Sequence, residues 1–258
     1  MIVCKSREEI AKLRMSGRIV HEVLEETRER VHPGVTTLEL DRFVEKRLAE
    51  LGAVPASKGY HGYPRTLCTS VNEEIVHGIP SNRRLREGDI IGLDLGIILD
   101  GFYGDAAITV AVGEISPLAA KLLRVTEEAL MRGIQAARAG NRIGDISAAV
   151  ESHVEANGFS VVREFVGHGI GRQYHEEPQV PNFGVAGRGP VLKEGMVFTI
   201  EPMVNAGESG SRVLDDQWTA VTLDGAYSAH FEHTIAVTAE EAEILTALGP
   251  AVEAAVER

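Results

Sequence analysis

Cysteine, long apolar runs and excess positive charge are all scarce in this 258-residue sequence. Its only two cysteines, Cys4 and Cys68, cannot build a disulfide framework and favour a reducing compartment, so we expect a cytoplasmic protein. No apolar run approaches the ~20 residues of a membrane span, and the first residues, MIVCKSREEI, lack a signal-peptide pattern. The formal charge of −12 is the opposite of a nucleic-acid-binding footprint. We therefore expect no membrane and no nucleic-acid partner.

The composition that remains is that of an ordinary globular protein. Apolar residues make up 44% of the chain and charged residues 25%, which is enough to bury a substantial core. Capping signals and apolar residues at helical spacing predict four helices, which begin near residues 6, 37, 116 and 144. Strands are predicted near 66–71 and 76–80 and through much of the later chain, and a short terminal helix is predicted after 238–241.

The stretch IIGLDLGIILDGFYGDA, residues 90–106, contains two acidic residues in an unusual setting. An apolar run predicts a buried strand, Asp100-Gly101 is a hairpin turn signal, and a second strand follows to about Val112. Asp94 interrupts the first strand and Asp105 lies early in the second. A buried carboxylate is costly unless it is paired or binds a metal. The hairpin therefore suggests a cation held between the two strands.

A second acidic residue of this kind appears later in the chain, after a similar lead-in. LREG at 85–88 begins nine residues before Asp94, and LKEG at 192–195 begins nine residues before Glu201. Glu201 also ends an apolar strand-like run. The similarity indicates a duplication, although chance recurrence of a common strand-entry pattern is the alternative.

The helices before these strands repeat in the same way. Glycines bracket the second predicted helix at 34 and 52, and its counterpart at 140 and 158, with the same separation. We therefore predict one α+β domain made of two helix-helix-strands halves, about 1–112 and 113–258, related by a pseudo-two-fold axis around a central antiparallel sheet. Such an axis would place Asp94 and Glu201 face to face.

Four acidic residues and one histidine form the candidate metal site. They are Asp94, Asp105, His168, Glu201 and Glu232. Four carboxylates exceed what one divalent ion needs, whereas two ions ~3.5–4 Å apart can share bridging carboxylates. Oxygen ligands with one imidazole favour manganese, iron or cobalt, with zinc as a further candidate. Taken singly, an Asp in an apolar strand is more often ion-paired, and Glu232 beside His233 more often forms a surface pair. A structural site with a single metal is a further alternative.

His77 and His175 are the other candidates for chemistry. They lie in the short motifs VHGIP, residues 76–80, and YHEEP, residues 174–178. A metal-assisted hydrolase needs a donor for the developing oxyanion and a group near the scissile nitrogen. Histidines beside the metals would suit both tasks, although either one alone is more often a buried structural histidine.

These motifs together resemble the type I methionine aminopeptidases of metallopeptidase family M24, which have the pita-bread fold. The resemblance covers nearly the entire chain and rests on motifs that combine to a specific pattern. The matching stretches are GYPRTLCTSVNEEIVHGIP (62–80), IGLDLG and DGFYGDAA in the hairpin, GHGIGRQYHEEPQVPNF (167–183), FTIEPMVNAG (198–207) and HFEHTIAVT (230–238).

The resemblance implies a role for each candidate residue. Asp94 would chelate one metal, His168 and Glu201 the other, and Asp105 and Glu232 would bridge them. His77 would contact the substrate near the scissile amide, His175 would polarise the carbonyl, and Glu201 would also shuttle the proton of the attacking water. The pocket for the first residue would consist of Tyr60, Tyr63, Cys68, His77, Tyr174, His175 and Trp218. Two positions depart from the common pattern of the family. Tyr174 stands where the family often has Phe, so its added hydroxyl needs a polar partner. Ser57 stands where some members have Cys.

The resemblance also implies the activity. We expect a monomeric, dinuclear metallo-exopeptidase that removes the N-terminal methionine from peptides and nascent proteins and prefers a small second residue. A transient contact with the ribosome would fit this substrate. The nearest rival is a proline-type exopeptidase of the same fold, which lacks the Tyr60/Tyr63/Cys68/Trp218 set. A catalytically dead binding module is the rival from another class, and it would be expected to have lost metal ligands.

Overall fold

The computed structural model describes residues 1–247 and has the predicted α+β architecture. Four α-helices are present in this part of the chain: α1 (Arg7–Arg28), α2 (Thr37–Glu50), α3 (Pro117–Ala136) and α4 (Ile143–Ala156). None of the described helices is both long and apolar enough to cross a membrane.

The sequence signals at the starts of the helices are confirmed. Ser6 accepts a hydrogen bond from the Glu9 N–H while the Glu9 carboxylate accepts one from the Ser6 N–H, which closes a capping box on α1. Thr36 and Glu39 do the same for α2. Ser116 caps α3 with proline at the first helical position. These local bonds fix where each helix enters the fold.

Fifteen strands accompany the helices within residues 1–247. They are β1 (Val54–Pro55), β2 (Cys68–Val71), β3 (Glu74–Val76), β4 (Ile90–Leu99), β5 (Phe102–Ala111), β6 (Ser160–Val161), β7 (Gly167–Gly169), β8 (Glu176–Val180), β9 (Val197–Ile200), β10 (Met203–Asn205), β11 (Ser211–Val213), β12 (Ala220–Thr222), β13 (Ser228–His230), β14 (Glu232–Ala236) and β15 (Glu243–Ile244). Nine of them form one antiparallel sheet with the main order β1-β4-β5-β14-β9-β7-β8, while β2 pairs with β4 and β15 with β14.

The predicted hairpin is the longest pairing in this sheet. All ten residues of β4 pair with β5, from Ile90 opposite Ala111 to Leu99 opposite Phe102. Asp100 and Gly101 at the turn both have positive φ, 50° and 77°, as a type I′ turn requires. The tight turn fixes the register and therefore which face of the sheet each hairpin side chain occupies.

One face of the hairpin is covered by α1 and α2. Leu93 and Leu95 are fully buried in a cluster that includes Val20 of α1 and Val44 of α2. Asp94 lies between these two leucines, and because side chains alternate along a strand it points to the opposite face. The packing of α1 and α2 on one face therefore leaves the other face of the hairpin, which carries Asp94, available for a functional site.

Backbone contacts recur between the two parts of the chain. The Gly34 N–H donates to the Leu85 carbonyl, and the Gly140 N–H donates to the Leu192 carbonyl. Both glycines have φ 95°, a conformation that L-residues with a side chain seldom adopt. The repeated contacts support the interpretation that the halves are duplicated, which stays a prediction.

Two predictions about secondary structure were wrong. No helix follows Thr238 within the described residues; instead Glu243 and Ile244 form β15, which pairs with β14, and anything beyond residue 247 lies outside the described part. The strand expected at 76–80 ends at Val76, because His77 adopts a left-handed φ of 60° that turns the chain out of the sheet.

Candidate metal centre

A row of side chains crosses the sheet on the face away from α1 and α2. Cys68 of β2 pairs with Asp94, Asp94 pairs with Ala107 of β5, and Ala107 pairs with Glu232 of β14. Residues opposite each other in an antiparallel pair point to the same face, with Cβ atoms ~5 Å apart. Ile200 of β9 pairs with His233, so Glu201, the next residue, lies beside Glu232. The register alone brings three acidic residues together.

Asp105 and His168 complete the cluster from either side of this row. Asp105 pairs with Gly96 of β4 and so lies on the same face as Asp94, two residues away along the sheet. The Nε2 atom of His168 lies 3.6 Å from a carboxylate oxygen of Asp105 and 3.6 Å from one of Glu201. Asp105, His168 and Glu232 each offer a ligand atom within 4.8 Å of the others. All five residues line one cavity.

The clustered acids strongly perturb one another. Burial, followed by the charges of Asp105 and Glu201, raises the pKa of Asp94 well above its ordinary value. Burial likewise raises the pKa of Glu232, with further contributions from the neighbouring carboxylates, and raises that of Glu201 to about 7. Without a cation the site therefore retains protons that carboxyl groups normally release.

The donor set fits a divalent cation. The Oε1 atom of Glu232 is buried and has no hydrogen-bond partner among the described residues. An unpartnered buried carboxylate oxygen is costly, and a cation beside it removes the cost. Four carboxylates with one imidazole suit manganese, iron, cobalt or zinc. The acid cluster is thus unfavourable by itself and complementary to positive charge.

His168 is oriented toward the acids by its own backbone. Its Nδ1 atom lies 3.0 Å from the Gly169 carbonyl, so a proton on Nδ1 donates there and Nε2 faces Asp105 and Glu201. Burial alone would lower the pKa of His168, but hydrogen bonding to Asp105 and attraction to both carboxylates outweigh it and raise the pKa to about 9. The Thr199 hydroxyl donates to Glu201 Oε1 at 2.7 Å and also accepts from the His168 N–H at 3.0 Å.

The cavity around the acids has a volume of about 270 Å³, close to the lower limit (~300 Å³) for small-molecule sites. The structure brings every residue of the predicted first-residue pocket into its lining: Tyr60, Tyr63, Cys68, His77, Tyr174, His175 and Trp218. Sequence reasoning missed five further lining residues: Val76, Phe165, Val166, Met203 and His230. Each of these five lies within three residues of a predicted site residue, so closeness to a motif was the available signal.

The two candidate histidines both line the cavity. The Tyr60 hydroxyl is 2.8 Å from Nδ1 of His175, and the rings of His175 and His168 are 4.1 Å apart. Desolvation, reinforced by the neighbouring His168 cation, lowers the pKa of His175 to about 4. His77 packs edge-on against Phe165, with ring centroids 5.6 Å apart, and burial lowers its pKa also. Both imidazoles are therefore neutral at pH 7 and can act as hydrogen-bonding groups.

The hydroxyl of Tyr174 has the polar partners that its position demands. It lies 3.3 Å from the Ser57 hydroxyl and 3.4 Å from Asp105 Oδ1. Space for it comes from Gly96, where an added Cβ would overlap the Tyr174 hydroxyl. Ser57, Gly96 and Tyr174 thus form a matched set that brings a second hydrogen-bond donor to the Asp105 carboxylate.

Apolar and aromatic groups form a further part of the cavity wall. Tyr63 is buried and donates its hydroxyl hydrogen to the Gly78 carbonyl at 2.9 Å, which turns its ring toward Trp218. The Tyr63 and Trp218 rings meet edge to face with centroids 5.1 Å apart. Burial and the nearby Asp94 raise the pKa of Cys68, so this thiol is neutral. The cavity therefore joins an uncharged group of side chains, Tyr63, Cys68 and Trp218, to the acid cluster.

Comparison with known proteins agrees with this geometry. The model of metallopeptidase family M24 matches residues 11–239. A methionine aminopeptidase from Clostridium perfringens is 52% identical over 246 residues, which cover 95% of this chain and 99% of that protein. Crystal structures of methionine aminopeptidases from Thermotoga maritima and Rickettsia prowazekii superpose with TM-scores of 0.95 each, at 46% and 41% identity. Both alignments cover 96% of this chain and 100% of the other.

These similarities confirm the predicted fold, since the superposed structures have the pita-bread architecture expected from the motifs. They also agree with the acid-lined cavity, because the matching family consists of metallopeptidases and the cluster offers metal ligands. The chain therefore belongs to metallopeptidase family M24 and, within it, to the type I methionine aminopeptidases.

Proposed function

We propose that this protein removes the N-terminal methionine from peptides and newly made proteins by metal-dependent hydrolysis. The observation that supports this most strongly is the cavity itself, which joins five metal-ligand side chains to an uncharged aromatic pocket sized for one residue. A site that joins charged groups to apolar walls suits a substrate with a free amine and a methionine side chain.

Two divalent ions, of manganese, iron or cobalt with zinc as the alternative, would be held by Asp94, Asp105, His168, Glu201 and Glu232. Bound there, they would polarise the scissile carbonyl and lower the pKa of the attacking water. Asp105 and Glu232 are the bridging carboxylates in this proposal. Their positions support it, since Asp105 lies near His168 on one side and Glu232 lies in the row between Asp94 and Glu201.

Glu201 would transfer the proton between the attacking water and the leaving amine. Its carboxyl lies in the cavity wall beside the other proposed metal ligands, where it could accept and give up a proton. The Thr199 hydroxyl holds Oε1 by a 2.7 Å hydrogen bond, which leaves Oε2 for the reaction.

His175 would stabilise the charge that develops on the carbonyl oxygen. With the Tyr60 hydroxyl donating to Nδ1, the imidazole carries its proton on Nε2 and can donate it to the substrate. Its lowered pKa, about 4, keeps it neutral, so it stabilises by hydrogen bonding and does not repel bound cations. His77, also neutral, would contact the substrate near the scissile amide.

The aromatic part of the cavity would select the first residue. Methionine is long, flexible and polarisable, and it packs well against aromatic rings such as those of Tyr63 and Trp218. The free α-amine of the substrate would bind to a metal held by the acid cluster, and an internal peptide bond offers no such amine, which would account for exopeptidase action. We also propose a preference for a small second residue. Monomeric state, cytoplasmic location and a transient ribosome contact stay predictions.

The proposal is tested with metal-stripped protein and the peptides Met-Ala-Ser and Met-Lys-Ser. Manganese, iron, cobalt and zinc are added in turn, and free methionine is measured, with Glu201→Ala as the control. We expect metal-dependent release from the first peptide, little from the second, and at least a 100-fold loss in the variant, since general acid–base catalysis contributes ~10²–10⁴-fold. Tight metal binding without release would refute the proposal, and cleavage of proline peptides instead would favour the rival exopeptidase.

A further inference from the structure

A second concave surface adjoins the cavity. It is a groove of about 690 Å³, and it shares Val166, His168 and His175 with the cavity lining. His175 is the residue proposed to face the scissile carbonyl. The scissile bond would therefore lie where the cavity meets the groove, with the first substrate residue on the cavity side.

One wall of the groove is β8, the last strand of the nine-stranded sheet. Glu177 and Gln179 are exposed on this strand, while Pro178 and Val180 between and beyond them are buried. The five residues of β8 span roughly 17 Å, enough for an extended peptide of about four or five residues. The groove is thus long enough for the part of a polypeptide that follows its cleaved residue.

The N-terminal segment also lines the groove and is held in place by ion pairs. Lys5, which is 7% exposed, pairs with Glu176, and the Lys5 N–H donates to the Gly195 carbonyl at 2.6 Å. Arg172 lies 3.4 Å from the Glu9 carboxylate. These contacts fix the N-terminal segment against β8 and the loop before it, so the groove is formed before a substrate arrives.

One carboxylate of the groove takes part in none of the ion pairs that the described residues form. Lys5 offsets Glu176 and Arg172 offsets Glu9. Glu177 forms no ion pair within residues 1–247. An exposed carboxylate beside the path of an extended chain attracts a cationic side chain.

We propose that this groove binds the third and following residues of the polypeptide substrate in extended form, and that Glu177 favours a lysine or arginine at one of these positions. The inference rests on the proposed function, because that function places the scissile bond beside His175. It deepens the function by making the enzyme sensitive to sequence beyond the second residue.

The test uses hexapeptide amides that begin Met-Ala and carry glycine elsewhere, with a single lysine or glutamate placed in turn at positions 3 to 6. At low salt we expect kcat/KM to favour lysine at one position by about two- to fivefold, the range for exposed ion pairs. Salt should weaken the preference. In Glu177→Lys the preference at that position should reverse.

Glu155→Lys is the matched control, because Glu155 is an exposed acid on α4 outside the groove and the substitution changes net charge equally. This variant should keep the wild-type preference. Equal rates for lysine and glutamate at every position, or the same shift in both variants, would overturn the inference while Met-Ala-Ser is still cleaved. Failure to cleave Met-Ala-Ser with any metal would refute the proposed function first, and the inference with it.

Discussion

Removing the metal should make the stability of this protein fall as pH rises through the neutral range. The pKa of His168 is about 9 when folded, against an ordinary value of 6.5, and those of Asp94, Glu201 and Glu232 are also raised. The folded protein therefore binds more protons than the unfolded chain. Stability then decreases with pH, and the part due to His168 is present below pH 6.5 and lost as pH rises through 9.

The magnitude follows from the His168 value. A difference of this size between folded and unfolded states corresponds to about 3 kcal/mol of unfolding free energy between pH 6.5 and 9. The carboxyl groups of Asp94, Glu201 and Glu232 also have raised pKa values, so they act with the same sign and add to the His168 contribution.

His77, His175, His230 and His233 have lowered pKa values and are neutral in the folded protein over this range, but in the unfolded chain they are half protonated at pH 6.5. Losing those protons raises stability by roughly 0.4 kcal/mol for each histidine as pH rises to 9, which together is less than the fall due to His168.

The assay is urea unfolding of chelator-treated protein at pH 6.5, 7.5 and 9, followed by far-ultraviolet circular dichroism. Manganese in excess should abolish the fall, because metal ions displace the protons and bind the folded state only. Glu232→Gln should raise the stability of the metal-free protein at pH 9 and weaken the stabilisation by manganese. A metal-free stability that stays level or rises between pH 6.5 and 9 would refute the electrostatic reasoning.

Three further predictions concern single contacts. Gly96→Ala should lower the free energy of unfolding in urea by ~1–3 kcal/mol, because the added Cβ overlaps the Tyr174 hydroxyl. Adding Tyr174→Phe to this variant should recover part of the lost stability. Equal losses in the single and the double variant would contradict the matched set of Ser57, Gly96 and Tyr174. Thr199→Val removes the hydrogen bond that stabilises the Glu201 carboxylate, so it should move the acidic limb of the profile of kcat against pH up by about one pH unit. An unchanged acidic limb would count against proton transfer by Glu201. Asp41→Ala should cost ~2–3 kcal/mol because two buried backbone N–H groups lose their acceptor, whereas Asp41→Asn keeps an acceptor and should cost less by the same unfolding measurement.

Local signals in the sequence predicted most of the helices and the central hairpin. The capping box at Ser6 could be predicted because its bonds join residues three apart in the chain, whereas the second box, at Thr36, was not predicted. The hairpin was readable because Asp100-Gly101 suits a type I′ turn. The residues after Thr238 resemble a helix cap, and this local pattern led to the wrong prediction of a helix. They are followed by β15, which is stabilised by its pairing with β14 and therefore cannot be predicted from local sequence.

The candidate site could be predicted in its members but not in its arrangement. Asp94 and Glu201 could be predicted as site residues because each lies in or at the end of an apolar strand, where the free-energy cost of burying a carboxylate has to be offset by a partner. Their alignment in one row depends on the register of β5, β14 and β9, which the chain order does not give. The partners of the Tyr174 hydroxyl likewise come from distant segments, Ser57 and Asp105, so only the need for a partner was predictable.

The most direct test of the central claim compares Met-Ala-Ser with its N-acetylated form in one reaction, followed by mass spectrometry. We expect methionine release from the free peptide alone, only after metal is restored to the stripped protein, and not with Glu201→Ala. Cleavage of the acetylated peptide, release without metal, or full activity of the variant would contradict an amine-dependent, metal-dependent hydrolysis at the acid cluster.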